Sequence, residues 1–175
     1  MPKSIRDQLL GGTRTSVGQA EQVVKKALAS APLRREIYDL FLDDDPVVAM
    51  RASYVAMKMA QADPVTAQEF KKVVLKNLPD YTQQEVRWHV PQVLVHMKLT
   101  ASERRKAYAV LMEWFETDAS KIVAYYGLQT AANFAEVDDA LLEDLTPRLR
   151  KLNARGAKSI SNRCKKIAKQ LEIDL

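Results

Sequence analysis

The sequence predicts an all-α fold, an α-α superhelix in which helix pairs stack into a solenoid. Three observations predict it. Ala, Leu, Lys, Glu, Arg and Gln are abundant while glycine holds only 5 of 175 positions and aromatics 7%, a composition that favours helix. Apolar residues recur at three- and four-residue spacing in one segment after another, with no strand-like alternation. The same apolar positions then return after 36 to 38 residues, the mark of a repeat architecture.

The elements follow in order. Ser16 is placed to cap a helix over about 17–29 that carries Val17, Ala20, Val23, Val24, Ala27 and Leu28. Pro32 suits a first helical turn, and Leu33, Ile37, Leu40 and Phe41 follow at helical spacing. Asp45-Pro46 reads as a cap and first-turn proline for a helix to about Gln61, with Val48, Ala52, Val55 and Met59 as its stripe. Asp63-Pro64 punctuates again before a helix over 66–78. Thr82 with Glu85, and Thr100 with Glu103, have the spacing of capping boxes. Asp118 opens the helix carrying Ile122, Tyr126 and Phe134, and a last pair covers 137–153 and 157–172 around Gly156. Pro91 and Pro147 fall inside helical segments, where each removes a backbone hydrogen bond and predicts a kink or a split.

In the second helix of each pair Val48, Val86, Ile122 and Ile160 align, at separations of 38, 36 and 38. Ala52, Val90, Tyr126 and Cys164 follow four residues on. In the first helices Leu33, Ile37 and Phe41 match Phe70, Val74 and Leu78; Tyr108, Met112 and Phe115 match Leu145, Leu149 and Leu152. Core positions recur while surface positions drift, as stacked pairs require, because one pair cannot bury its apolar faces alone.

On these residues the chain resembles the HEAT-repeat family: Asp45-Pro46-Val47-Val48 to Arg51-Ala52, Glu85-Val86-Arg87, Ser120-Lys121-Ile122-Val123 to Ala131, and Ser159-Ile160 to Leu171. The resemblance covers about 32–172. It implies a single domain over 1–175 with a cap over 1–31 and repeats over about 32–62, 63–99, 100–135 and 136–175. The turn near Asp80-Tyr81 departs from the family's Asp-Pro. HEAT-like arrays mostly act as binding scaffolds, so the resemblance implies a non-enzymatic protein that holds a partner protein or peptide on its concave face. The alternative is a nucleic-acid-binding protein related to the DNA alkylation-repair glycosylases, whose aromatic-plus-Asp groove Trp114 and Asp118 faintly resemble.

Charge bears on that alternative. Net charge is +5, and nine basic residues without an acid fill 146–169, beginning at Arg148. Helix-dipole matching and the wet outer face of a terminal repeat account for part of this. The second helices of HEAT-like arrays line the concave face, which makes Arg51, Lys58, Arg87, Lys121, Lys158, Arg163 and Lys166 candidates for one phosphate-binding surface without sequence readout.

Other candidates have simpler explanations. His89 and His96 lack an acid or thiol at ligand spacing and read as partly exposed helix residues. Asp43-Asp44-Asp45 reads as a capped helix boundary, and Cys164, beside Lys165 and Lys166, as a small buried hydrophobe. A single cysteine excludes a disulfide framework and fits a reducing, cytoplasmic setting. Met1 to Leu10 has no long apolar run to suggest a secretion signal, and no stretch has the roughly 20 apolar residues of a membrane span. No cofactor, metal or small-molecule ligand is expected.

Overall fold

The structure, a computed structural model, describes residues 4–175; the first three residues of the expected N-terminal cap lie outside the described residues. Among the described residues the chain is helical over 76% with no strand. Its helices are α1 (Ile5–Leu9), α2 (Ala20–Leu28), α3 (Ala31–Asp39), α4 (Pro46–Ala62), α5 (Val65–Gln68), α6 (Lys71–Asn77), α7 (Gln84–Leu94), α8 (Ala101–Thr117), α9 (Lys121–Ala135), α10 (Asp139–Arg155) and α11 (Lys158–Leu171). Single 3₁₀ turns continue α3 and α6. Two compact units result, one ending at Lys98 and one from Leu99 to Leu175.

In the first unit α4 is the central element. It packs against α1, α2, α3, α5 and α7, and it is apolar on most sides because most sides are covered. Asp45 starts it by accepting the backbone N–H groups of Val47 and Val48 at 2.8 and 3.3 Å. An aromatic cluster fills the space beside it. Tyr38 stacks on Phe70 at 4.6 Å between ring centroids and meets Phe41 at 5.2 Å, and Phe41 meets Tyr81 at 5.8 Å.

In the second unit α9 packs against α8, α10 and α11. The expected Thr100–Glu103 capping box starts α8, with Thr100 Oγ1 accepting the Glu103 N–H at 3.2 Å and Glu103 accepting the Thr100 N–H at 2.8 Å. In both units side-chain hydrogen bonds join residues about one period apart. Arg34 meets Glu69, Ser53 meets His89, Arg105 meets Asp138, and Tyr108 meets Asp144, at separations of 35, 36, 33 and 36 residues.

Helices α4, α7, α9 and α11 share a register measured from their N-cap residues. The N-cap residues are Asp45, Gln83, Ser120 and Ala157. Three residues after each cap the helix buries Val48, Val86, Val123 and Ile160; seven after, Ala52, Val90, Gly127 and Cys164; eleven after, Ala56, Leu94, Ala131 and Ala168. This corrects the sequence alignment at one unit. Ile122 is 45% exposed, and Val123 takes its place at 2%. Ser120, not Asp118, caps α9, and three residues on from it stands Val123, one residue past the aligned Ile122.

Other expectations are also corrected. Ser16 does not cap α2; Gly18 in the left-handed region (φ +52°) intervenes, and the helix starts at Ala20. Val17, expected in its apolar stripe, is 39% exposed. The Thr82–Glu85 box does not form, since α7 begins after Gln83. The 66–78 segment breaks into α5 and α6. Neither proline splits its helix, because one missing N–H leaves the flanking turns intact. Beside Pro147 the Thr146 hydroxyl donates to the Leu142 carbonyl at 2.7 Å. Helix α1, with its Ser4–Asp7 capping box, was not anticipated.

If Asp45 sets where α4 begins, Asp45→Ala costs about 1 kcal/mol of stability in urea unfolding. Ser16→Ala, at a residue that caps no helix, loses only the exposed 3.3 Å bond that Ser16 Oγ accepts from the Gly18 N–H and changes stability by less than about 0.5 kcal/mol.

Candidate functional site

Helices α4 and α7 face each other across a cleft of about 400 Å3 in the first unit. Met50 and Tyr54 line it from α4, and Glu85, Trp88 and His89 from α7. Residues 14–17 of the α1–α2 connection form the remaining wall. Helical spacing explains the grouping, since residues one turn apart share a face. Met50 and Trp88 each stand five residues after the N-cap residue of their helix, so the cleft lies between positions of the same register on α4 and α7.

The connection is held in place by Arg51. Its guanidinium donates to the carbonyls of Leu9 (2.8 Å), Leu10 (3.3 Å) and Ser16 (2.9 Å), and the residue is 3% exposed. Two glycines make room. Both have positive φ, and a Cβ at Gly18 would come within 2.8 Å of the guanidinium carbon, one at Gly12 within 3.1 Å of Nη2. A buried charge is tolerable only with such hydrogen bonding.

The cleft's polar groups have defined roles. Ser53 Oγ–H donates to the Met50 carbonyl at 2.9 Å. It therefore accepts from His89 Nδ1–H at 2.9 Å, which fixes the neutral tautomer and leaves the lone pair on Nε2. Burial pushes the His89 pKa down to about 3. Glu85 is 5% exposed. Its carboxylate forms an ion pair with Arg14, Nε to Oε1 3.1 Å, and accepts from Gln83 Nε2 at 3.1 Å. Trp88 is half-buried and meets His89 edge-on at 5.5 Å. The Tyr54 hydroxyl is bonded to Glu21, and Lys58 lies 5.9 Å from the Tyr54 ring centroid.

The expected basic residues take varied places. Arg51 is spent on loop carbonyls, so its charge sits inside the fold, not on an exposed face. Arg87 Nε donates to the Tyr81 carbonyl at 2.7 Å. In the second unit Arg163 stacks over Tyr125 at 3.5 Å and donates to Gln129 at 2.5 Å. Lys121, Lys158 and Lys166 are exposed. Of the basic 146–169 segment, Arg148 pairs with Asp144 at 2.9 Å and Glu116 at 2.5 Å, and Arg150 donates to the Asp174 carbonyl at 3.0 Å. Lys151, Arg155, Lys165 and Lys169 are exposed.

The two histidines differ from their expected setting. His89 is buried, and His96 lies beyond the end of α7. Trp114 is 2% exposed and belongs to the core of the second unit, while Asp118 accepts the Ser120 N–H at 2.8 Å. Cys164 is fully buried, and burial raises its thiol pKa. Asp43 forms a two-pronged pair with Arg6 at 2.7 and 2.9 Å, which holds its carboxyl below the usual range. Among the described residues no cluster of His, Cys, Asp or Glu is grouped to hold a metal, and no helix is long and apolar enough to cross a membrane.

Comparison with family models, with curated proteins and with solved structures returns no match. The site therefore has to be read from its own chemistry. Arg14, Tyr54 and Glu85 were not singled out in the sequence as parts of a site. Glu85, Trp88 and His89 on one face of one helix were the available signal, obscured by the capping-box reading of Glu85. Arg14 had none, since only the fold brings an isolated loop residue across 71 positions.

The His89 pKa lies below the ordinary value of 6.5, so from pH 6.5 down to about 3 the unfolded chain binds a proton that the folded chain does not. The stability due to neutral His89 is full above 6.5 and falls on acidification. Urea unfolding at about pH 7 and about pH 5 is expected to show a loss about 2 kcal/mol larger for the parent chain than for His89→Gln.

Proposed function

We propose that this chain is a HEAT-like helical-repeat scaffold that holds a partner peptide or protein against its second helices, with the α4–α7 cleft as the anchor site. The single observation that carries this reading is the cleft itself. It lies between equivalent positions of consecutive second helices and offers Trp88, Tyr54 and Met50 beside the Glu85 carboxylate. Aromatic and methionine side chains around a few directed polar groups are what peptide anchors use. The common cap-to-core register of α4, α7, α9 and α11 supports the repeat, and the packing of α4 on α7 and of α9 on α11 supports a solenoid. No nucleophile stands against a base in the cleft: the Ser53 hydroxyl donates to a carbonyl, and His89 is turned to it through Nδ1–H.

A second reading has its own observation. Lys151, Arg155, Lys158, Lys165, Lys166 and Lys169 are exposed in the second unit, a charge pattern suited to phosphate backbone. Arg51 adds nothing to such a surface.

A displayed random-peptide library selected on the parent chain and on Trp88→Ala tests the first reading. Enrichment on the parent that disappears with Trp88→Ala is expected. No enrichment, together with duplex DNA binding that persists at about 150 mM salt and weakens when Lys158 and Lys166 become Glu, would replace it with the second.

A further inference from the structure

Resting on the peptide-anchor reading, we propose that the α4–α7 cleft recognises an arginine side chain of the partner, and that Arg14 of this chain occupies the place as a resident stand-in. Three features carry it.

The first is an asymmetric ion pair. Glu85 is buried, with 6% of its side chain exposed, and a buried carboxylate requires a positive partner. The partner comes from no helix. It is Arg14, on a connection whose residues 11–19 are all exposed, and 51% of its own side chain is open to solvent. The carboxylate is fixed on α7 while the cation sits on the only wall of the cleft that is not helical. A guanidinium on such a segment can leave, and another can take its place.

The second is the acceptor set. Glu85 offers carboxylate oxygens, and His89 offers the Nε2 lone pair that the Ser53 hydrogen bond leaves on it. Trp88 adds a ring whose face attracts a cation by its quadrupole, while Tyr54, with Lys58 already 5.9 Å from its ring centroid, serves as apolar wall. Among the described residues that line the cleft Arg14 is the one cation, and neutral His89 does not repel a second. A planar group with several N–H donors fits acceptors arranged in this way.

The third is the hinge. Gly11 and Gly12 have φ of +80° and +79°, and Gly18 +52°. They flank Arg14 on both sides. Arg51 pins the carbonyls of Leu9, Leu10 and Ser16 and not those of residues 13–15, so the Arg14 segment can withdraw while its ends stay anchored.

The test is a titration of the full chain with N-acetyl-arginine amide, followed by the NMR signal of the Trp88 indole N–H. Arg14→Ala vacates the place and is expected to tighten binding about tenfold or more, since the parent must first release its own guanidinium. The uncharged isostere N-acetyl-citrulline amide is expected not to bind Arg14→Ala. Glu85→Gln in the Arg14→Ala background is expected to abolish binding, with circular dichroism reporting whether that variant is folded. Equal affinity of parent and Arg14→Ala, or equal binding of citrulline and arginine amides, would overturn the proposal. Either readout suffices if the Glu85 variant unfolds. Trp88-dependent peptides enriched without arginine would also overturn it while leaving the peptide-anchor reading standing. Arginine amide binding with no enriched peptide would do the reverse.

Discussion

The Arg51 guanidinium is the constraint on which the first unit's candidate site depends. It sits inside the fold between α4 and the connection that joins α1 to α2. A buried charge is costly, and its cost is offset here by three carbonyls that would otherwise face water. The exchange has a structural consequence. It fixes two ends of a glycine-containing loop against α4, and the residues between them become a wall of the α4–α7 cleft. Without Arg51 the loop has few apolar residues to hold it, since residues 11–19 are all exposed.

The same helix links this arrangement to the register shared by α4, α7, α9 and α11. Asp45 starts α4, and the start decides which residues three, seven and eleven places on point to the core. Arg51, six places on, is thereby directed to the N-terminal connection, and Tyr54, nine places on, to the cleft. In α7 the same counting sends Val86, Val90 and Leu94 inward and leaves Trp88 beside the opening. In α4 one local event, the Asp45 cap, thus sets both packing and site residues along the helix.

The all-helical class and much of the element order were legible in the sequence because they rest on local patterns. The helical periodicity, the Asp45 cap, the Thr100–Glu103 box and the repeat of apolar positions are all short-range. What was not legible depends on distant residues. The Thr82–Glu85 spacing indicated a cap, yet Glu85 is drawn to Arg14, which lies far off in sequence. Ile122 was aligned to the core because Ile122 and Val123 are adjacent apolar residues, and only the cap at Ser120 tells which of the two faces inward. Arg51 looked like a surface charge, since nothing near it in sequence reveals three carbonyls 35 to 42 residues away. The cleft shares that origin: the exposure of Trp88 and its neighbours come only from packing.

Hydrogen exchange read by mass spectrometry on the parent chain and on Arg51→Leu tests the central claim most directly. The account predicts a local effect. Amides of residues 5–18 lose protection in the variant, while those of α4 and α7 keep theirs, because leucine still fills the apolar part of the site. Unchanged protection in residues 5–18 would contradict the claim that Arg51 holds the wall of the cleft.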